Sequence, residues 1–312
     1  MPAIRIEGLV KAFGEVRALD GLSLSVEAGS VFGFLGPNGA GKTTTIRILT
    51  GLARADSGQA WVDGVEVTAG RLRTAAHVGY LPQDPSFYPW MTGQEMLDHV
   101  GRVFGLPAQE RKARAKELLE LTGMTKAARR RIGGYSGGMR HRLGIAQATM
   151  NRPAVLLLDE PVSSLDPVGR KELLELIDRL RGRCTVLMST HILADVERVC
   201  DTVGIIDQGR LVIQAPQQEL LERYSSPVFL VETEAEFVPS LHAWAEGLRA
   251  VPWVSSVALQ AQSVRILVRD LATAKRELAP SALRAGVIFT RYEMGVPSLE
   301  EVFMQLVSEG GE

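Results

Sequence analysis

The feature that most limits the fold is a strand, glycine loop, helix succession near the N-terminus. Val31-Phe32-Gly33-Phe34-Leu35 is a short apolar run that suits a buried strand. It leads straight into Gly36-Pro37-Asn38-Gly39-Ala40-Gly41-Lys42-Thr43, after which Ile46, Ile48 and Leu49 continue in a helical pattern to Gly51. The spacing is G-x-x-x-x-G-K-[ST]. Its glycines let successive backbone N–H groups point inward and cradle phosphate oxygens, and the following helix offers its positive end to the same anions. Gly36, Asn38, Gly39, Ala40 and Gly41 then form the cradle. Lys42 reaches the β- and γ-phosphates, the Thr43 hydroxyl binds Mg²⁺, and Thr44 lies at the α-phosphate.

The rest of the chain alternates in the same way. Ile4 to Val10 and Leu22 to Val26 read as half-buried antiparallel strands. Residues 93 to 150 are mostly helical in pattern, with one helix beginning near Ala108 and another after Ser136. Ala154–Leu158 and Thr185–Met188 are further buried strands, separated by an amphipathic helix from Val168 to Leu180 and followed by a short helix at Ile192–Val199. Val203–Ile206 and Leu211–Ile213 form a hairpin around Asp207-Gln208-Gly209. Strands alternating with helices imply an α/β core with a mainly parallel sheet and an antiparallel edge. Near Ser225-Ser226-Pro227 the pattern changes. Strand Val228–Val231, helix Pro239–Leu248, hairpin Val254–Leu259/Val264–Val268, helix Ala272–Leu283, strand Val287–Tyr292 and helix Ser298–Val307 follow. That is a βαββαβ order with a terminal helix, the ferredoxin-like α+β arrangement. Two domains are therefore expected, 1–223 and 224–312.

Composition excludes several classes. With 312 residues, 46% hydrophobic and 23% charged, the chain can bury a large core. A net charge of −1 argues against a generally basic nucleic-acid binder. Cys184 and Cys200 are too few for a disulfide scaffold or a four-thiolate zinc site and fit no redox pair, which points to a reducing compartment. The N-terminal residues lack the apolar run of a signal peptide, and no stretch approaches the roughly eighteen apolar residues of a membrane helix. The expected location is the cytoplasm.

Two further elements carry chemistry. Val155-Leu156-Leu157-Leu158-Asp159-Glu160 is an apolar strand ending in adjacent carboxylates. Asp159 is placed to hold Mg²⁺ and Glu160 to polarise an attacking water. Tyr135-Ser136-Gly137-Gly138-Met139-Arg140 puts Ser and two Gly at a helix N-terminus. Alone that is an ordinary N-cap; beside the first loop it makes a second anion nest. Arg129-Arg130-Arg131 with Arg140 and Arg142 is a local basic cluster, read first as a solvated helix end and alternatively as a contact for anionic headgroups or an acidic partner face.

Taken together, the sequence resembles the nucleotide-binding subunit of an ATP-binding cassette (ABC) transporter. The glycine loop, Gln83 in Leu81-Pro82-Gln83-Asp84, Ser136-Gly137-Gly138, Asp159-Glu160, Ser163-Ser164-Leu165-Asp166 and Ser189-Thr190-His191 stand in the family's order across about residues 3–220. Tyr135 replaces the commoner Leu and Met139 the commoner Gln, variants that fit the exporter-type branch, as does Pro297 to Phe303. The resemblance implies further roles. Phe13 stacks on adenine with Val16 beside it. Gln83 touches Mg²⁺ or the attacking water and senses the membrane partner. His191 bonds the γ-phosphate, and Asp166 meets the opposite subunit. The cofactors implied are ATP and Mg²⁺, and the implied enzyme is an ATPase.

The family's geometry also implies partners. Two copies pack head to tail, each ATP clamped between one chain's glycine loop and the other's Ser136-Gly137-Gly138. Their cycle drives export through a separate integral membrane permease, and the chain sits peripherally on the inner membrane face, with no nucleic acid. The alternatives are a soluble ABC ATPase acting on nucleic acid or translation, an importer ATPase, and a nucleotide-switched module without turnover. Intact Glu160 and His191 speak against the last.

Overall fold

The structure is a computed structural model and describes residues 1–67, 74–223 and 227–295. The chain divides into two compact units, Met1–Gln217 and Gln218–Glu312, six residues short of the boundary expected from the change of pattern near Ser225.

The first unit opens with the antiparallel hairpin β1 (Ile4–Phe13) and β2 (Val16–Val26). Alternate residues Ile4, Ile6 and Leu22, Leu24 face inward because period-two apolar residues fall on one side of a pleated strand. The buried β3 (Val31–Leu35) leads to α1 (Lys42–Leu49). Next come β4 (Ser57–Val62) and the short β5 (Val65–Glu66), which complete a sheet of order β2-β1-β4-β5. β6 (Val78–Leu81) then enters the main sheet. Neither β4 nor β6 announces itself by alternation, since Gly58 and Gly79 interrupt them.

A helical arm follows, made of α2 (Gly93–Val103), α3 (Ala108–Leu121) and α4 (Gly137–Ala148). Thr92 caps α2 in a reciprocal box with Glu95, and Ser136 caps α4 by accepting from the Met139 N–H at 3.3 Å. The arm has its own core, including Leu97, Leu118, Leu143 and Met150. The chain then alternates through β7 (Val155–Asp159), α5 (Pro167–Asp178), β8 (Thr185–Thr190), α6 (Leu193–Val199), β9 (Thr202–Asp207) and β10 (Arg210–Pro216). The main sheet has the order β10-β9-β3-β8-β7-β6, parallel throughout except for the β9–β10 hairpin. β3, β7 and β8 are buried along their whole length, as strands covered on both faces must be. Cys200 is buried and Cys184 half-buried, and burial pushes the Cys184 thiol up to about 11. α7 (Gln217–Arg223) begins at the last residue of this unit and its remaining residues belong to the second.

In the second unit β11 (Val228–Glu232), α8 (Val238–Leu248), β12 (Val254–Leu259), β13 (Ser263–Val268), α9 (Leu271–Arg284) and β14 (Arg291–Gly295) succeed one another. Their sheet is antiparallel, in the order β12-β13-β11-β14. Phe229, Val231, Trp244, Ile266 and Leu278 belong to its core.

One expected strand is displaced. Val287–Tyr292 was expected to be extended, but β14 begins only at Arg291. α9 ends in a Schellman cap: Gly286 takes φ 76°, the Val287 N–H donates to Ala282 O at 3.0 Å, and the Gly286 N–H to Leu283 O at 3.1 Å. Val287 is apolar because it follows that cap into the core, where it is 1% exposed. Ser298–Val307, including Leu299, Val302, Phe303 and Leu306, lies outside the described residues, as does Pro297 to Phe303.

Candidate nucleotide site

The C-terminal ends of the parallel strands build the site, where loops leave an open α/β sheet. β3 delivers Gly36 to Thr43. Gly41 takes φ 108°, and a Cβ there would lie 2.6 Å from Ala18 O, so only glycine fits this turn. Lys42 is 5% exposed. Its ammonium donates to Gly36 O at 2.7 Å and Pro37 O at 3.0 Å, and lies 3.5 Å from Glu160 Oε1.

β7 delivers Asp159 and Glu160. Asp159 Oδ1 accepts from the Thr43 hydroxyl at 3.1 Å and from the Ser189 hydroxyl at 2.7 Å. Glu160 is buried, with φ 46°, a left-handed conformation that costs a non-glycine residue about 1 kcal/mol or more. The Glu160 N–H donates to Ser189 Oγ at 2.9 Å, which fixes that bend. His191, on the loop after β8, places Nδ1 2.8 Å from Glu160 Oε2. The Glu160 carboxylate thus lies between an ammonium and an imidazole.

One cavity of about 490 Å³ is lined by Asn38, Gly39, Gly41, Lys42, Thr43, Thr44, Gln83, Glu160, Ser163, Ser164 and His191, while Asp159, 2% exposed, is not in the lining. Its chemistry is that of an anion site backed by carboxylates. Not every expected residue joins it. Gly36 and Ala40 shape the loop without lining the cavity; Ala40 O accepts from the Gly209 N–H at 3.0 Å. Phe13 and Val16 face each other across the β1–β2 turn and are 55% and 68% exposed. Lys11 Nζ sits 5.2 Å from the Phe13 ring centre. Ser136, Gly137 and Gly138 start α4 and are also absent from the lining. Asp166 caps α5 by accepting from the Gly169 N–H at 2.8 Å.

Sequence reasoning missed Ser189 as a site residue, although it stands in a motif run with His191. Its contribution arises because β7 and β8 pair in parallel with Asp159 opposite Ser189. Nearby, burial and then the Asp159 charge push the Tyr80 phenol above the usual range.

The loops carrying Asp166 and His191 are braced behind the cavity. Arg170 Nε donates to Asp195 Oδ1 at 2.6 Å, joining the first turns of α5 and α6. Asp195 is 1% exposed, and its Oδ2 has no partner. Burial holds its carboxyl above the usual range, while Arg170 pulls it back. Arg170→Met should orphan that carboxylate and destabilise the first unit by about 3 kcal/mol, read as a lower urea midpoint. A carboxylate whose folded pKa is raised penalises the fold only when ionised, so the deficit should be full at neutral pH. It should shrink as pH falls through the folded pKa. An unchanged midpoint at pH 7 would show that the pair contributes nothing.

Phosphate cradle, buried lysine and paired carboxylates on a parallel sheet define a nucleotide-hydrolysing ATPase of the phosphate-loop class. Residues 19–163 match the ABC transporter family model. An uncharacterised ABC transporter ATP-binding protein of Bacillus subtilis, YxlF, is 39% identical over 97% of this chain and 99% of its own. The Nod factor export ATP-binding protein I of Ralstonia nicotianae is 35% identical over 98% of this chain and 94% of its own. Among solved structures, the ADP conformation of MJ1267, an ATP-binding cassette of an ABC transporter, matches 70% of this chain and 92% of its own. Its TM-score is 0.63 at 27% identity. The chain belongs to the ABC transporter ATP-binding proteins and is an ATPase of that family.

Proposed function

We propose that the chain is the motor subunit of a two-component exporter, working as a head-to-tail pair beneath a separate membrane permease. The observation that carries this is the separation of the two anion nests. Lys42, Thr43, Thr44, Gln83, Glu160 and His191 line one cavity, whereas Ser136, Gly137 and Gly138 stay outside its lining. A second copy supplies the missing nest and completes the shell around the phosphates. The name of the Nod factor export relative supports the direction of transport.

Within each site, Lys42 and the backbone from Gly36 to Gly41 hold the phosphates, with Thr44 beside them. Phe13, with Val16 next to it, offers an exposed aromatic face to the base. Glu160 takes the proton of the attacking water, and His191 and Gln83 orient the reacting groups. The residues also fit Mg²⁺. Thr43 and Asp159 bring two hard oxygens together. Gln83, on the cavity wall, is the third candidate ligand. Mg²⁺ bound there neutralises charge on the phosphates.

The permease docks beside Gln83. A groove of about 750 Å³ lies a few residues downstream, lined by Trp90, Met91, Gln94, His99, Arg102 and their neighbours, and Trp90 is 65% exposed. No helix among the described residues is long and apolar enough to cross a membrane, so attachment to the cytoplasmic face falls to that docking. The division is an ATP-binding domain, 1–223, followed by an accessory domain, 224–312. The sheet order β12-β13-β11-β14 supports a ferredoxin-like fold for the latter.

Light scattering with ATP and Mg²⁺ tests the pairing. In a turnover-blocked background, mass should double with ATP, and Ser136→Arg should prevent this by crowding the opposite γ-phosphate. A monomer at saturating ATP and high protein concentration would overturn the head-to-tail reading. Ending the chain at Arg223 should leave ATP affinity within about twofold, because the cavity lining lies wholly before that point. Calorimetric loss of ATP binding in a folded truncation would mean that the second unit helps to build the site.

A further inference from the structure

One face of α4 meets β6 and the loop that leaves it at three successive places. His141, Gly144 and Ala148 are spaced by three and four residues and so share that face. At the far end, a Cβ on Gly79 would lie 2.2 Å from Ala148 O. In the middle, a Cβ on Gly144 would lie 2.4 Å from Leu81 Cδ1. At the near end His141, 3% exposed, sets Nε2 3.1 Å from Gln83 O and Nδ1 3.0 Å from Gly137 O. Both partners are carbonyl oxygens, so an imidazole N–H donates where one is present.

The lengths agree. From 141 to 148 a helix rises about 10 Å. From 79 to 83 an extended chain spans about 13 Å. Helix and strand therefore run in opposite directions, in contact from Gly79 up to Gln83. Gly79 lets the Ala148 carbonyl approach the strand backbone, and Gly144 leaves just the space that the Leu81 side chain fills, so the close-packed contact transmits displacement instead of absorbing it. Beyond Gln83 the wedge ends at Gly137, in the turn capped by Ser136.

We infer that His141 is a positioning residue that ties Gln83, on the wall of this chain's own cavity, to the Ser136-Gly137-Gly138 turn. This rests on the head-to-tail reading, in which that turn serves the partner's nucleotide. A nucleotide that seats one copy's turn then fixes the same copy's Gln83. The two sites of a pair are coupled through two such wedges, one per chain, and hydrolysis is cooperative in ATP.

The test uses the full chain and compares wild type, His141→Leu and His141→Gln. The wild type should give a Hill coefficient above 1 for ATPase rate against ATP. His141→Leu removes the polar ring. It should bring the coefficient to about 1 and lower kcat about tenfold, with ADP affinity measured by calorimetry within twofold and an unchanged unfolding midpoint. His141→Gln, which keeps an amide donor at the same depth, should restore most of both. If Leu at this buried site lowers the midpoint, Gly144→Ala replaces it. That variant crowds the tip of Leu81 one turn away and should reduce cooperativity in the same direction. A wild-type coefficient of 1, or a Leu variant that keeps both kcat and cooperativity, overturns the inference. Pairing is followed alongside by light scattering. A pair that forms with ATP while His141 proves indifferent removes only the role of His141, whereas absence of any ATP-dependent pair removes the head-to-tail reading itself.

Discussion

Glu160→Gln is expected to lower ATP turnover by about 10²–10⁴-fold while ATP still binds. The amide keeps the shape of the side chain and loses the base. Glu160 is buried, with Oε1 3.5 Å from Lys42 Nζ and Oε2 2.8 Å from His191 Nδ1, so its carboxylate is aimed by both neighbours at the cavity. The left-handed backbone at this position is set by the Ser189 hydroxyl and not by the carboxylate, so the substitution leaves the bend in place. On the proposed head-to-tail reading, hydrolysis ends the nucleotide-bridged state, so the variant should accumulate as an ATP-dependent pair. Single-turnover kinetics and light scattering read the two effects. A Gln variant that turns over at a tenth of the wild-type rate or faster would assign the proton transfer elsewhere, and His191 would be the next residue to test.

Lys42→Ala should weaken ATP binding by about 10²–10⁴-fold and remove measurable turnover. Charge-assisted hydrogen bonds contribute about 1.5–3 kcal/mol each, and an ammonium bonded to two phosphate groups loses both. In this structure the ammonium is held by Gly36 O and Pro37 O, so it also braces the loop whose N–H groups form the cradle. The loss therefore includes loop order as well as charge. Lys42→Met, which keeps the stem and drops the ammonium, separates the two contributions. Calorimetry should show it binding ATP better than the Ala variant and far worse than wild type. Wild-type affinity in either variant would place the phosphates elsewhere.

Much of this protein was legible in local spacing. The run from Val31 to Thr43 spells strand, turn and helix within thirteen consecutive residues, and its glycines, lysine and threonines act on backbone and side chains that are neighbours in the chain. The same holds for Ser136 as the cap of α4 and for the carboxylates that end β7. Contacts within one turn or one loop depend on sequence separation, which a sequence contains. What depends on pairing between distant segments had to wait for the tertiary structure. Asp159 meets Ser189 because β7 lies beside β8 in one parallel register, a choice among strands whose apolar runs look alike. The Gln83 carbonyl meets His141, fifty-eight residues away, because Gly79 and Gly144 leave room for α4 to pack closely on β6. Val287 joins the core at a helix cap instead of a strand, since an apolar residue records burial and not the backbone that delivers it. The separation of the Ser136 turn from the cavity was decided by where the fold puts α4. Sequence order placed Ser136 between Lys42 and Glu160, whereas in the fold Lys42 and Glu160 share a wall that Ser136 does not line.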